Sequence, residues 1–98
     1  MDFRVIDGPE AQRDLKEIRR YISLDSSQAA ERFGRFLFSK TKMLARQPWM
    51  GRMVSDFCHP CVREIIVGNY RVIYEVNELE KRIEILRYWH GARGVPEI

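Results

Sequence analysis

The chain has 98 residues, 45% hydrophobic and 11% aromatic, with a formal net charge of +3 from 17 basic and 14 acidic side chains. That length supports one core, so a single domain over residues 1–98 is expected, and the apolar content excludes a disordered chain. Apolar runs are only a few residues long, as in Ile65-Ile66-Val67, far short of the ~20 that cross a bilayer, and the opening Asp2 and Arg4 do not read as an export leader. A cytoplasmic protein with no membrane partner is the expectation. The charge surplus lies in residues 1–50, with ten bases against seven acids, while residues 51–98 carry seven of each. Any role on RNA or DNA must therefore rest on a few placed arginines.

Phe3, Val5 and Ile6 predict a short strand, ended by Asp7-Gly8-Pro9, where Pro9 suits the first position of a helix. Ala11, Leu15, Ile18 and Ile22 recur at helical spacing and predict a helix over about 9–23. Asp25-Ser26-Ser27 stops the chain and caps a second helix, whose stripe of Ala30, Phe33, Leu37 and Leu44, flanked by Phe36 and Met43, runs until Gln47-Pro48. Phe38 lies off that stripe and is expected to be exposed. Residues 48–60 form an irregular segment marked by Gly51, Asp56 and prolines. Three strands follow, Val62–Val67, Tyr70–Val76 and Arg82–Trp89, joined by turns at Gly68-Asn69 and 77–81. The fold class is α+β in the order β-α-α-β-β-β, with a helical hairpin on one face of a mainly antiparallel sheet and the other face at least partly open.

Several patterns then coincide: Ala11-x-x-Asp14-Leu15-x-x-Ile18-x-x-Tyr21-Ile22, Ala29-Ala30-x-Arg32-Phe33, Gln47-Pro48-x-x-Gly51-Arg52, Arg63-Glu64, Tyr70-Arg71-Val72-Ile73-Tyr74 and Ile83-x-Ile85-x-x-x-x-His90-Gly91-x-Arg93. In order and spacing, over nearly the whole chain, they resemble the RelE/ParE superfamily of toxins from bacterial type II toxin-antitoxin modules. The resemblance implies one of two mechanisms. RelE-like members cut messenger RNA on the ribosome with basic residues on the open face of the sheet; ParE-like members inhibit DNA gyrase by binding it. Both are neutralised by a small antitoxin encoded by a neighbouring frame, and neither implies a cofactor.

Metal-free RNA cleavage needs a base, an acid and cations that offset charge on the phosphate. Strand parity sets Arg71 apart from Tyr70, Val72 and Tyr74, and puts Tyr88 and His90 on one face with Glu84. The catalytic candidates are thus Arg71, Tyr88 and His90, with Arg63 on a neighbouring strand and Asp56 in the loop. Arg71 can equally be one half of a cross-strand ion pair with Glu64 or Glu84. Asp56 stands where many relatives carry a Glu, only eight residues follow His90, and the loop before the meander is poor in lysine, all of which turn the resemblance toward the ParE-like and plasmid-stabilisation members. On that branch Trp89, His90 and Arg93 are expected to bind the target, and Phe36, Phe38 and Met43 the antitoxin. An inactive relative kept as antitoxin partner and co-repressor is the third reading. Cys58-His59-Pro60-Cys61 offers too few ligands for zinc and precedes a strand, unlike a thioredoxin motif at a helix start, so it reads as a loop with two thiols and no metal.

Overall fold

The computed structural model describes residues 2–98. Strand β1 (Arg4–Asp7) leads through Gly8 into helix α1 (Pro9–Ser23), which starts with proline in its first turn as the sequence predicts. Helix α2 (Ser27–Thr41) is capped by Ser26, whose hydroxyl oxygen accepts from the Ala29 amide at 3.1 Å. It ends six residues short of Gln47. There the chain tightens into a 3-10 turn (Lys42–Ala45), which buries Leu44 completely and brings the Ala45 carbonyl to the Phe3 amide at 2.8 Å. A straight continuation of the helix would forgo that tie between the end of the hairpin and the start of β1.

The sheet has five strands rather than four. A two-residue strand β2 (Arg52–Met53) forms within the segment expected to be irregular, and pairs with β3 (Val62–Val67). With β4 (Tyr70–Asn77) and β5 (Arg82–His90) the spatial order is β1-β5-β4-β3-β2; β1 runs parallel to β5 and all other pairs are antiparallel. Gly68, at φ +60°, takes the left-handed conformation that the tight β3–β4 turn requires.

The helices cover one face of this sheet. Ala11, Ile18 and Leu37 pack there on Val72, Tyr74, Ile83, Ile85 and Tyr88. On the opposite face the loop after β2 lays Val54 and Phe57 over Val62, Ile73 and Trp89, forming a second, smaller core. That face is therefore only partly open.

One irregularity decides which residues can meet. Ile73 faces Arg87 across β4 and β5, but its neighbour Tyr74 faces Ile85, so Leu86 is an extra residue in β5. The bulge reverses the alternation along the strand. Glu84, paired with Glu75, and Leu86 lie on the partly open face, whereas Tyr88 and His90 turn toward the helices. The expectation that Tyr88 and His90 share a face with Glu84 is corrected by that single inserted residue.

Candidate functional site

Arg71 lies in the middle of the partly open face, opposite Ile66 on β3 and Trp89 on β5. Its guanidinium donates to Glu64 Oε1 at 2.6 Å and to Asp56 Oδ2 at 2.9 Å, and Glu64 Oε2 also accepts from Arg52 Nε at 2.9 Å. Glu64 is only 2% exposed, and its position on β3 diagonal to Arg71 is what closes the network. The hydrogen bond to Glu64 is the largest influence raising the Arg71 pKa above the ordinary guanidinium value. A guanidinium that already satisfies two carboxylates offers little net positive charge to a phosphate. Of the two interpretations of Arg71, the ion pair with Glu64 is the one present.

Of the other catalytic candidates, three do not join it. Arg63 points to the opposite face, where it donates to the Gly51 carbonyl at 3.3 Å and lies over the Trp49 ring, 5.1 Å from its centroid. Tyr88 is buried beneath the helices with its hydroxyl donating to Asp7 Oδ1 at 2.6 Å; burial, and then that carboxylate, push its pKa far above the ordinary phenol value. His90 stacks edge-on against Tyr70, 5.1 Å between ring centroids, and its Nδ1 accepts from the Ala92 amide. Asp56 alone of the four meets Arg71. The expected constellation of Arg71, Tyr88 and His90 is thus broken: Tyr88 lies across the sheet, while His90, stacked on Tyr70 at the end of the sheet, lines a hollow of about 530 Å³ together with Arg71 and Arg52.

Trp89 is 2% exposed and belongs to the second core, its indole N–H donating to the Gly94 carbonyl and its ring flanked by Arg87 and Arg93 at 4.9 and 3.9 Å. As an exposed anchor for a partner it is corrected: it is a packing residue that presents Arg93 to solvent. Sequence reasoning passed over Asp14. This carboxylate, nearly buried on α1, accepts from Arg87 Nε at 2.8 Å, Arg87 Nη2 at 3.0 Å and the Tyr88 amide at 3.0 Å, and so fastens α1 to β5 just past the bulge. A polar residue on the apolar side of an amphipathic helix is the signal that could have marked it.

The three residues expected to face an antitoxin lie in different places. Phe38 is 68% exposed and lines a groove of about 670 Å³ between α1 and α2, with Asp7, Leu15, Arg19 and Gly34 in its walls. A second hollow of about 250 Å³ along β1, lined by Val5, Ile6 and Lys42, shares Asp7, Phe38 and Thr41 with it. Phe36 stands two residues away on the far flank of α2, against Phe33. Met43 is half exposed on the 3-10 turn. Cys58 and Cys61 are both free thiols. Among the described residues no group of three or more His, Cys, Asp or Glu side chains is placed to hold a metal ion, and no helix is long and apolar enough to cross a membrane.

Known proteins share this architecture. The chain superposes on a chain of the chromosomal ParDE toxin-antitoxin system from P. aeruginosa with a TM-score of 0.73 and 22% identity, covering 90% of this chain and 95% of that one. It is similar also to a chain of the RelBE2 toxin-antitoxin complex from Mycobacterium tuberculosis (TM-score 0.61, 20% identity, 92% and 99% covered). A chain of the archaeal RelE-RelB complex from Pyrococcus horikoshii OT3 gives 0.61 and 22%, with 96% and 100% covered. No curated protein sequence matches. The family described as the ParE toxin of the type II toxin-antitoxin system parDE matches residues 8–95, nearly the full length, and the chain belongs to that family of toxins.

Proposed function

We propose that this toxin acts by binding a protein target, DNA gyrase, and not by cutting RNA, and that a small antitoxin from a neighbouring frame neutralises it. The observation that carries this reading is the state of Arg71. Its charge is offset by Glu64 and Asp56, while Tyr88 is buried across the sheet from it and His90, which shares a hollow with Arg71 at the end of the sheet, has its Nδ1 occupied by the Ala92 amide. No base, acid and free cation converge on the partly open face among the described residues. Glu75 and Glu84, directly opposite each other on that face, add negative charge unfavourable to a phosphate backbone. His90 and Arg93 keep the target-side role, and Phe38, with the exposed Met43, takes the antitoxin. The ParDE and RelBE relatives assemble with antitoxins, which supports that partner for this chain.

The test is a pair of assays on purified toxin: supercoiling by gyrase, and cleavage of messenger RNA in ribosomes stalled with an open A site. Loss of supercoiling with uncut message is expected. Arg71→Ala is expected to lower the melting temperature and to leave inhibition per folded molecule within about twofold, because its partners are internal. Cleaved message with supercoiling intact, reduced about 10²-fold in Arg71→Ala, selects the ribosomal endonuclease instead. Silence in both assays selects the inactive relative.

A further inference from the structure

We propose that the aromatic run Phe36, Phe33, Tyr70, His90, completed by Tyr21, is the docking surface for the toxin's protein target, and that it takes a segment combining apolar side chains with carboxylates. The inference rests on the reading that the chain acts by binding a protein. Ring centroids along the run are 6.4, 5.6 and 5.1 Å apart, so four aromatic side chains from α2, β4 and β5 touch in sequence. Tyr21 on α1 shares a cleft with Tyr70, His90 and Arg93. It is 74% exposed, and Leu24, at the end of the same helix, is 78% exposed. Neither is needed by the core, which α1 already fills with Ala11 and Ile18. Exposed aromatic side chains joined to a half-buried aromatic floor are the composition of a protein-binding hot spot.

Charge selects the occupant. Lys40 stands over Phe36, 5.6 Å from its ring centroid, at one end of the run, and Arg93 lines the cleft at the other. Neither forms an ion pair among the described residues; of the two carboxylates that line the cleft, Asp14 is held by Arg87, and Glu17 leaves the Lys40 end of the run as the more positive one. The two helices carry seven bases against four acids and so account for the whole formal surplus of the chain. A segment with acidic side chains flanking apolar ones meets both cations and the rings between them. The groove at Phe38 is on the other flank of α2, so target and antitoxin would use separate surfaces.

The test compares the full-length parent with Tyr21→Ala, Phe36→Ala and Lys40→Glu, three substitutions at positions outside both cores. Growth arrest on induction, gyrase supercoiling, copurification with the neighbouring frame's product and thermal melting are read together. Each variant is expected to need at least tenfold more protein for half-inhibition and to arrest growth less, with copurification intact and melting within a few degrees of the parent. Inhibition and arrest within twofold of the parent in all three overturn the inference. So does loss of copurification in place of toxicity, which gives the surface to the antitoxin, or variant-sensitive binding of a labelled oligoribonucleotide, which gives it to RNA. A parent that arrests growth with gyrase and messenger RNA untouched overturns only the choice of gyrase, and the variants are then judged by growth arrest. A parent that cuts messenger RNA, or arrests nothing, overturns the binding reading and the inference with it.

Discussion

Burial under the helices, and the Asp7 carboxylate 2.6 Å from its hydroxyl, hold Tyr88 as a neutral phenol well beyond the pH at which an exposed tyrosine ionises. The folded pKa is raised above the unfolded one, so this contribution to stability is complete below about pH 10 and is lost as pH rises, because the unfolded chain gains from ionising while the folded chain does not. Tyr74 and Tyr70 are raised in the same direction, each mainly by burial. Urea unfolding at pH 9, 10 and 11 is therefore expected to show falling stability, with Tyr88 contributing a slope that approaches about 1.4 kcal/mol per pH unit above about pH 10. Tyr88→Phe is expected to remove the Tyr88 share of that slope, at a cost of about 1 kcal/mol at neutral pH for the lost hydrogen bond. An identical slope in the variant would show that Tyr88 ionises freely in the fold. At this scale the sequence was legible where chemistry is local, as in the Arg71–Glu64 pair two strands wide, and illegible where the partner is remote, as with Asp14 and Arg87, 73 residues apart.

Elements with a strong period were readable, and those made by tertiary contact were not. Helix α1 follows from Ala11, Leu15, Ile18 and Ile22, and its observed span of Pro9–Ser23 is the predicted one. Strand β2 carries no periodic signal in two residues and exists because Arg52 and Met53 pair with Glu64 and Arg63. The bulge at Leu86 is likewise invisible to a period of two, yet it moved every candidate beyond it to the other face. What fastens β2 is Gly51. Its amide donates to the buried Tyr74 hydroxyl at 2.9 Å, and a Cβ there would come within 2.5 Å of that oxygen and 2.6 Å of the Glu64 carbonyl oxygen. Neither the sheet backbone nor a fully buried ring can yield cheaply, so Gly51→Ala is expected to cost about 2 kcal/mol and lower the melting temperature by roughly 10 °C. Combined with Tyr74→Phe the total loss is expected to fall below the sum of the two, since the phenylalanine removes one clashing atom. Strict additivity in the double-mutant cycle would mean that the loop moves aside.

At the scale of the whole molecule, the sheet separates three regions by what each has already committed. The partly open face spends its arginines on its own carboxylates and its tryptophan on a second core. The end of the molecule where hairpin and sheet meet presents aromatic rings and two cations, Lys40 and Arg93, that form no ion pair among the described residues. The groove between the helices is continuous with the hollow along edge strand β1, its floor is apolar at Leu15 and Leu37 with charged side chains at the rim, and Phe38 lies at the junction of its two parts. An apolar antitoxin segment laid in that groove would bury Phe38 from its present 68% exposure, an area comparable with that of an interface anchor. Phe38→Glu keeps a good helix former on an exposed helix position, so folding is expected to be retained, but it places a carboxylate where the segment must exclude water. The antitoxin is expected to bind this variant at least tenfold more weakly by calorimetry, and cells producing both proteins are expected to stop growing although the same antitoxin dose rescues the parent. Rescue of Phe38→Glu at the parent's dose, with an unchanged dissociation constant, would move the antitoxin out of this groove and leave the aromatic run as the surface for which both partners compete.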